Sequence, residues 1–111
     1  MDDNGLTAYV GDPDIHDGYI RAVVYDKQKV NVTVEAHNGQ WLVIQFDNVA
    51  WVKSLHPEGM MLYALAEGQC KANIRRFVFI NWDEEDDAFL EIGAIGFEII
   101  KQGNLLSATS S

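Results

Sequence analysis

Residues 29–37 read Lys-Val-Asn-Val-Thr-Val-Glu-Ala-His, an alternation that puts Val30, Val32, Val34 and Ala36 on one side and Lys29, Asn31, Thr33, Glu35 and His37 on the other. A period of two is the spacing of a strand with one buried face, whereas a helix would scatter these valines around its circumference. The alternation ends at Asn38-Gly39, the kind of pair that best takes the positive φ angles of a tight hairpin turn. Residues 41–46 are therefore expected to turn back as a second strand. On the other side, residues 19–25 are rich in Ile, Val and Tyr and reach Lys29 through the polar turn Asp26-Lys27-Gln28-Lys29, which predicts another hairpin.

The remaining segments carry the same signature. Residues 41–46 are apolar on both faces except at Gln45, as in a central strand covered from two sides. Val49, Trp51 and Leu55 alternate with Ala50, Val52 and Ser54, with Lys53 breaking the large-residue face. His56-Pro57-Glu58-Gly59 then cannot continue a ladder, because proline lacks the donor and glycine favours a turn. Residues 60–66 fit a buried strand or a short helix, and the reading leans to strand. In residues 77–82, Phe77 and Phe79 share one face, and Val78, Ile80 and Trp82 the other. Over residues 88–100 the apolar phase slips by one, from Leu90, Ile92 and Ala94 to Ile95, Phe97 and Ile99, which requires a bulge or a sharp bend near residues 94–96; Gly93 and Gly96 would permit either. The expected fold is all-β, an antiparallel meander of about seven strands forming a small barrel or sandwich with at most one short helix. A single domain is expected over residues 6–102, with flexible tails at 1–5 and 103–111.

Charge narrows the function. Eight Lys and Arg against seventeen Asp and Glu leave a formal charge of −9, which repels nucleic-acid backbones and anionic membranes alike. No apolar run approaches the ~20 residues of a spanning helix. The start, Met-Asp-Asp-Asn-Gly, is acidic where a secretory signal is basic, so a cytoplasmic location is expected. Cys70, the single cysteine, allows no intramolecular disulfide and no cysteine-based metal site. Asn31-Val32-Thr33 matches the glycosylation triplet but would be idle in the cytosol.

Asp83-Glu84-Glu85-Asp86-Asp87 places five acids between two strong strands. It reads as a solvated hairpin tip or, functionally, as a docking patch for a basic partner; its spacing matches no chelating loop. Asp12, Asp14 and Asp17, within Asp12-Pro13-Asp14-Ile15-His16-Asp17-Gly18, open like a calcium loop, but His16 stands where a ligand is needed and Val23 where the bidentate glutamate belongs. His16-Asp17 also resembles the His-Asp pair of metal-dependent phosphohydrolases, yet His37 and His56 lack the helical context of such sites. Cys70 has Lys71, Arg75 and Arg76 nearby but no partnered base in sequence, and no phosphate loop, Gly-x-Ser-x-Gly or dinucleotide motif occurs. Of the adjacent Arg75 and Arg76, one is expected to point inward and pair with Glu91 or Glu98, unless both lie exposed beside the acidic tip.

The stretch His16-Asp17-Gly18, the hairpins after it, and Gln45-Phe46-Asp47-Asn48-Val49-Ala50-Trp51 together resemble a pattern of small bacterial β-proteins, some of them thought to be immunity proteins that neutralise a toxin. The resemblance covers about half of the chain and carries over no functional residue; it implies a small binding protein of a bacterium.

These readings point to a noncatalytic, acidic, inhibitor- or immunity-like module that engages a basic protein, with Asp83, Glu84, Glu85, Asp86, Asp87, Asp12, Asp14 and Asp17 as contacts. No catalytic residue, metal or cofactor is expected. The alternatives are a small-molecule-binding β-barrel, with Trp41, Trp51, Trp82 and the methionines around a cavity, and a subunit that self-associates through a strand edge.

Overall fold

The computed structural model describes residues 6–10, 15–69 and 73–103. The alternating segments become nine strands: β1 (Leu6–Val10), β2 (Tyr19–Asp26), β3 (Lys29–Glu35), β4 (Trp41–Asp47), β5 (Trp51–Leu55), β6 (Leu62–Gln69), β7 (Arg75–Asn81), β8 (Phe89–Ala94) and β9 (Gly96–Gly103). They form a five-stranded sheet, β1-β6-β7-β8-β5, and a four-stranded sheet, β2-β3-β4-β9, antiparallel throughout. The two sheets pack as a sandwich and do not close into a barrel, so of the two expected architectures the sandwich is the one formed. No helix longer than the single turn at Ile15 occurs among the described residues, and residues 60–66 fall largely in strand.

Only β2-β3-β4 and β6-β7-β8 are meanders of successive neighbours. The Lys27-Gln28 turn sets Asp26 opposite Lys29, with Lys27 at φ 57°, and Gly39 takes φ 87° in the β3–β4 turn, as the sequence predicts. Both meanders are closed by one antiparallel ribbon that lies in both sheets. The chain of β4 and β5 runs against that of β8 and β9, so Asp47 faces Gly96 in one sheet while Trp51 faces Gly93 in the other. At the corner the Ile95 amide donates to Asp47 O (3.2 Å), the Ala50 amide donates to Gly93 O (2.7 Å), and Asn48 takes φ 53°. This corner is the origin of the phase slip over residues 88–100. Ala94 points into the core, Ile95 stands exposed on the bend, and Phe97 points back into the core from the second sheet. The slip is therefore a bend, one of the ways strands change sheets at a sandwich corner. Gly93 serves another purpose, because the Trp51 indole lies on its Cα.

One apolar cluster fills the space between the inner faces. Val30, Val32, Val34, Leu42, Ile44 and Phe46 come from the four-stranded sheet, and Phe77, Phe79, Leu90 and Ile92 from the other. Phe46 links the layers, with ring centroids 5.1 Å from Phe77 and 5.9 Å from Phe79. No polar or charged residue is buried among those described. Trp41, Trp51 and Trp82 all stand outside this cluster, so they do not line an interior cavity. β9 runs to Gly103, and the residues expected as tails at 1–5 and 104–111 lie outside the described residues.

Candidate functional site

The connection from β5 to β6 has to cross one end of the sandwich, because β7 and β8 lie between those strands in the sheet. Crossing there, it pairs with the start of β2. The Ile20 amide donates to Met60 O (3.0 Å), the Leu62 amide to Gly18 O (2.7 Å), and Tyr19 bridges to Met61. The Trp82 amide donates to Met61 O (3.0 Å), while Tyr19 lies opposite Glu35 and Glu35 opposite Trp41. Met60 and Leu62 are buried, so Met61 between them faces outward. Opposed residues on neighbouring strands share a face. The result is an outward row, Trp82, Met61, Tyr19, Glu35 and Trp41, that crosses the seam between the two sheets.

A cleft of about 520 Å³ opens on this seam, lined by Asp17, Tyr19, Glu35, His37, Met61 and Trp82 with Arg21 beside them. Arg21 Nε donates to Glu35 Oε1 at 2.9 Å, and its guanidinium lies 4.9 Å from the Tyr19 ring centre. Trp82 is 47% exposed yet held in place. Its Nε1 donates to Asp17 Oδ1, and its ring stands at 89° to Tyr63 with centroids 5.7 Å apart. His16 completes the group, edge-on to Tyr63 at 5.3 Å, with Nδ1 donating to the Tyr63 carbonyl oxygen (2.8 Å) and Nε2 3.6 Å from Asp17 Oδ1. Asp17 reaches this position in the left-handed region, at φ 66°, its own amide donating to Leu62 O (2.8 Å). Aspartate is among the few non-glycine residues that adopt this region readily.

The five acids begin where Trp82 ends. All are exposed, and the loop is organised by its own polar groups. Asn81 Oδ1 accepts from the Asp83 amide (2.8 Å), Asp83 Oδ1 from the Glu85 amide (3.0 Å), and Asp86 Oδ1 from the Ala88 amide (3.2 Å). Asn81 Nδ2 donates to Asp86 Oδ2 (3.1 Å), and this bond, followed by that from the Ala88 amide, holds the Asp86 carboxyl below its usual range. The carboxylates are thus turned to backbone and solvent rather than toward a common centre. No His, Cys, Asp and Glu group suited to a metal occurs among the described residues.

Of the acids read from sequence as contacts, Asp17 bonds to Trp82, Asp83, Glu84, Glu85, Asp86 and Asp87 follow Trp82 in the chain as an exposed loop that does not line the cleft, and Asp12 and Asp14 lie outside the described residues. Cys70 and Lys71 also lie outside them. The inward arginine is Arg75, and its partner is neither glutamate anticipated. Glu67 accepts from both Nε (2.5 Å) and Nη2 (2.8 Å) of Arg75, whose guanidinium lies 5.1 Å from the Phe77 ring centre and 5.6 Å from that of Phe97. Glu91 instead pairs with the outward-facing Arg76, at 2.8 Å. Both sit at the start of β7, the opposite end from the acidic loop. A second recess of about 810 Å³, at the Lys27-Gln28 turn, has two carboxylates and two ammonium groups and no aromatic wall.

Tyr63 and the ring cluster were not legible as a unit, because they meet only through the bulge between Leu62 and Ala64. Trp82 was legible only in its parity, opposite to Phe77 and Phe79; sequence reading set it in the core or around a cavity, and its exposed position emerges only in the structure. No helix among the described residues is long and apolar enough to cross a membrane. Comparison with protein-family models, curated proteins and solved structures returned no match.

Proposed function

We propose that this chain is a noncatalytic protein-binding module that engages a basic partner through the seam surface around Trp82 and the acidic loop behind it. The observation that supports this is the setting of Trp82. A tryptophan left half in water yet fixed by a hydrogen bond and two ring contacts is a rigid, amphipathic anchor, the kind of residue that dominates binding energy at interfaces. Five exposed acids beside it supply long-range attraction, which raises the association rate for a cationic partner and fixes its orientation. Inhibitor- and immunity-like proteins work in this way, by covering a basic surface.

The test is capture by the tagged protein from the native cell extract at low and high salt, repeated with Trp82→Ala and with residues 83–87 changed to their amides. A basic protein retained at low salt, released at high salt, and lost by both variants supports the reading. Retention of the same proteins by all three forms at both salts overturns it.

A further inference from the structure

We infer that the seam cleft receives an arginine side chain of the partner, stacked on the Trp82 indole and paired with Asp17. The inference rests on the reading above and specifies which group the partner inserts. Among the cleft's charged side chains, two carboxylates face one guanidinium, and Arg21 is already committed to Glu35. Asp17 is left without a lysine or arginine partner among the described residues: its Oδ1 takes the Trp82 indole proton, and its Oδ2 accepts no hydrogen bond there. A carboxylate has room for about four hydrogen bonds. An anion in the cleft would meet the Asp17 carboxylate, whereas a cation meets complementary charge there.

The cleft already holds one example of this chemistry, since Arg21 lies over the Tyr19 ring while bonded to Glu35. Trp82 and Asp17 set a second aromatic ring beside a carboxylate in the same cleft. Indole is the best of the aromatic faces for a cation. A guanidinium suits the site better than an ammonium, because it is planar, stacks flat, and presents a fork of donors to a carboxylate.

The experiment follows the Trp82 indole N–H resonance, assigned by its loss in Trp82→Phe, while the intact protein is titrated with the capped peptide acetyl-Gly-Arg-Gly-amide. Controls are the same peptide with citrulline, an uncharged isostere, and with lysine. The Arg peptide is expected to shift the Trp82 indole and the amides around Asp17 saturably, the lysine peptide more weakly, and the citrulline peptide not at all. Asp17→Asn should weaken binding on the order of tenfold. Asparagine keeps an acceptor for the indole and tolerates the left-handed backbone, so an unchanged spectrum elsewhere shows that the variant is folded. Equal shifts from Arg and citrulline peptides, equal affinity for the lysine peptide, or an unaffected Asp17→Asn overturn the assignment. Shifts confined to residues 83–87 overturn the cleft while leaving the acidic docking surface in place; no response in loop or cleft counts against both.

Discussion

A Cβ on Gly93 would stand 2.3 Å from Cε2 of the Trp51 ring, a distance no atom pair tolerates. Gly93→Ala should therefore displace the indole and cost about 1–3 kcal/mol, as overpacking does. Measured by urea unfolding, the cost should largely vanish in a Trp51→Ala background, because the clash is confined to that pair. Glu67 behaves differently, through its proton. The hydrogen bond from Arg75 lowers its pKa below the ordinary 4.5, with burial opposing and the charge of Arg75 assisting. A depressed carboxyl contributes stability that is complete above its unfolded value and lost as pH falls through the folded one. Glu67→Gln should thus destabilise by about 1 kcal/mol near pH 7, a figure kept small because Arg75 is partly exposed. The gap between wild type and variant should close below about pH 4.5, read from urea midpoints across that range. Sequence alone points to Glu91 on β8 or Glu98 on β9 as the partner of an inward arginine, whereas the bidentate contact to Arg75 comes from Glu67 on β6; bond geometry in space, not spacing along the chain, selects it.

At the scale of the elements, the bent ribbon of β4–β5 against β8–β9 holds the two sheets in one chain path. Its corner depends on Asn48, whose positive φ lets the backbone turn while the Val49 amide donates to Gln28 O at 2.8 Å. Asn48→Gly should be nearly neutral, and Asn48→Val should cost about 1–2 kcal/mol, since a β-branched residue is penalised in the left-handed region. Chemical denaturation of the two variants separates this backbone effect from any loss of side-chain contact. The strands themselves were legible because alternation is a local property. The slip from Leu90, Ile92 and Ala94 to Phe97 and Ile99 even located the corner, but a bulge and a bend leave the same trace in sequence.

Across the whole molecule, the core is held by rings that belong to both layers. Phe46, fully buried, meets Phe77 and Phe79 from the opposite sheet and Phe97 from its own. Phe46→Ala should remove about 3–5 kcal/mol, a large part of the ~5–15 kcal/mol that keeps a domain folded, and should lower cooperativity in thermal unfolding monitored by tryptophan fluorescence. The same layering produces the seam. Because β6 must be reached across the end of the sandwich, Met61 is brought between Tyr19 and Trp82, and residues far apart in the chain form one surface. Affinity there should fall steeply with salt if the acidic loop steers the partner, which surface association measurements at several ionic strengths would show.

What the sequence determined by itself is whatever depends on neighbours a few positions away. The period of two set the strands and their buried faces, Asn38-Gly39 and Asp26-Lys27-Gln28-Lys29 set the hairpins, and the run of five acids set a hydrated tip. Strand order, the choice of sandwich over barrel, and the meeting of His16, Asp17, Tyr63 and Trp82 were decided by tertiary structure alone. The physical reason is that alternation says which face of a strand is apolar but not which other face will cover it. That choice is made when the inner faces are packed together, and the cleft at the seam is a product of how the chain crosses between the two layers.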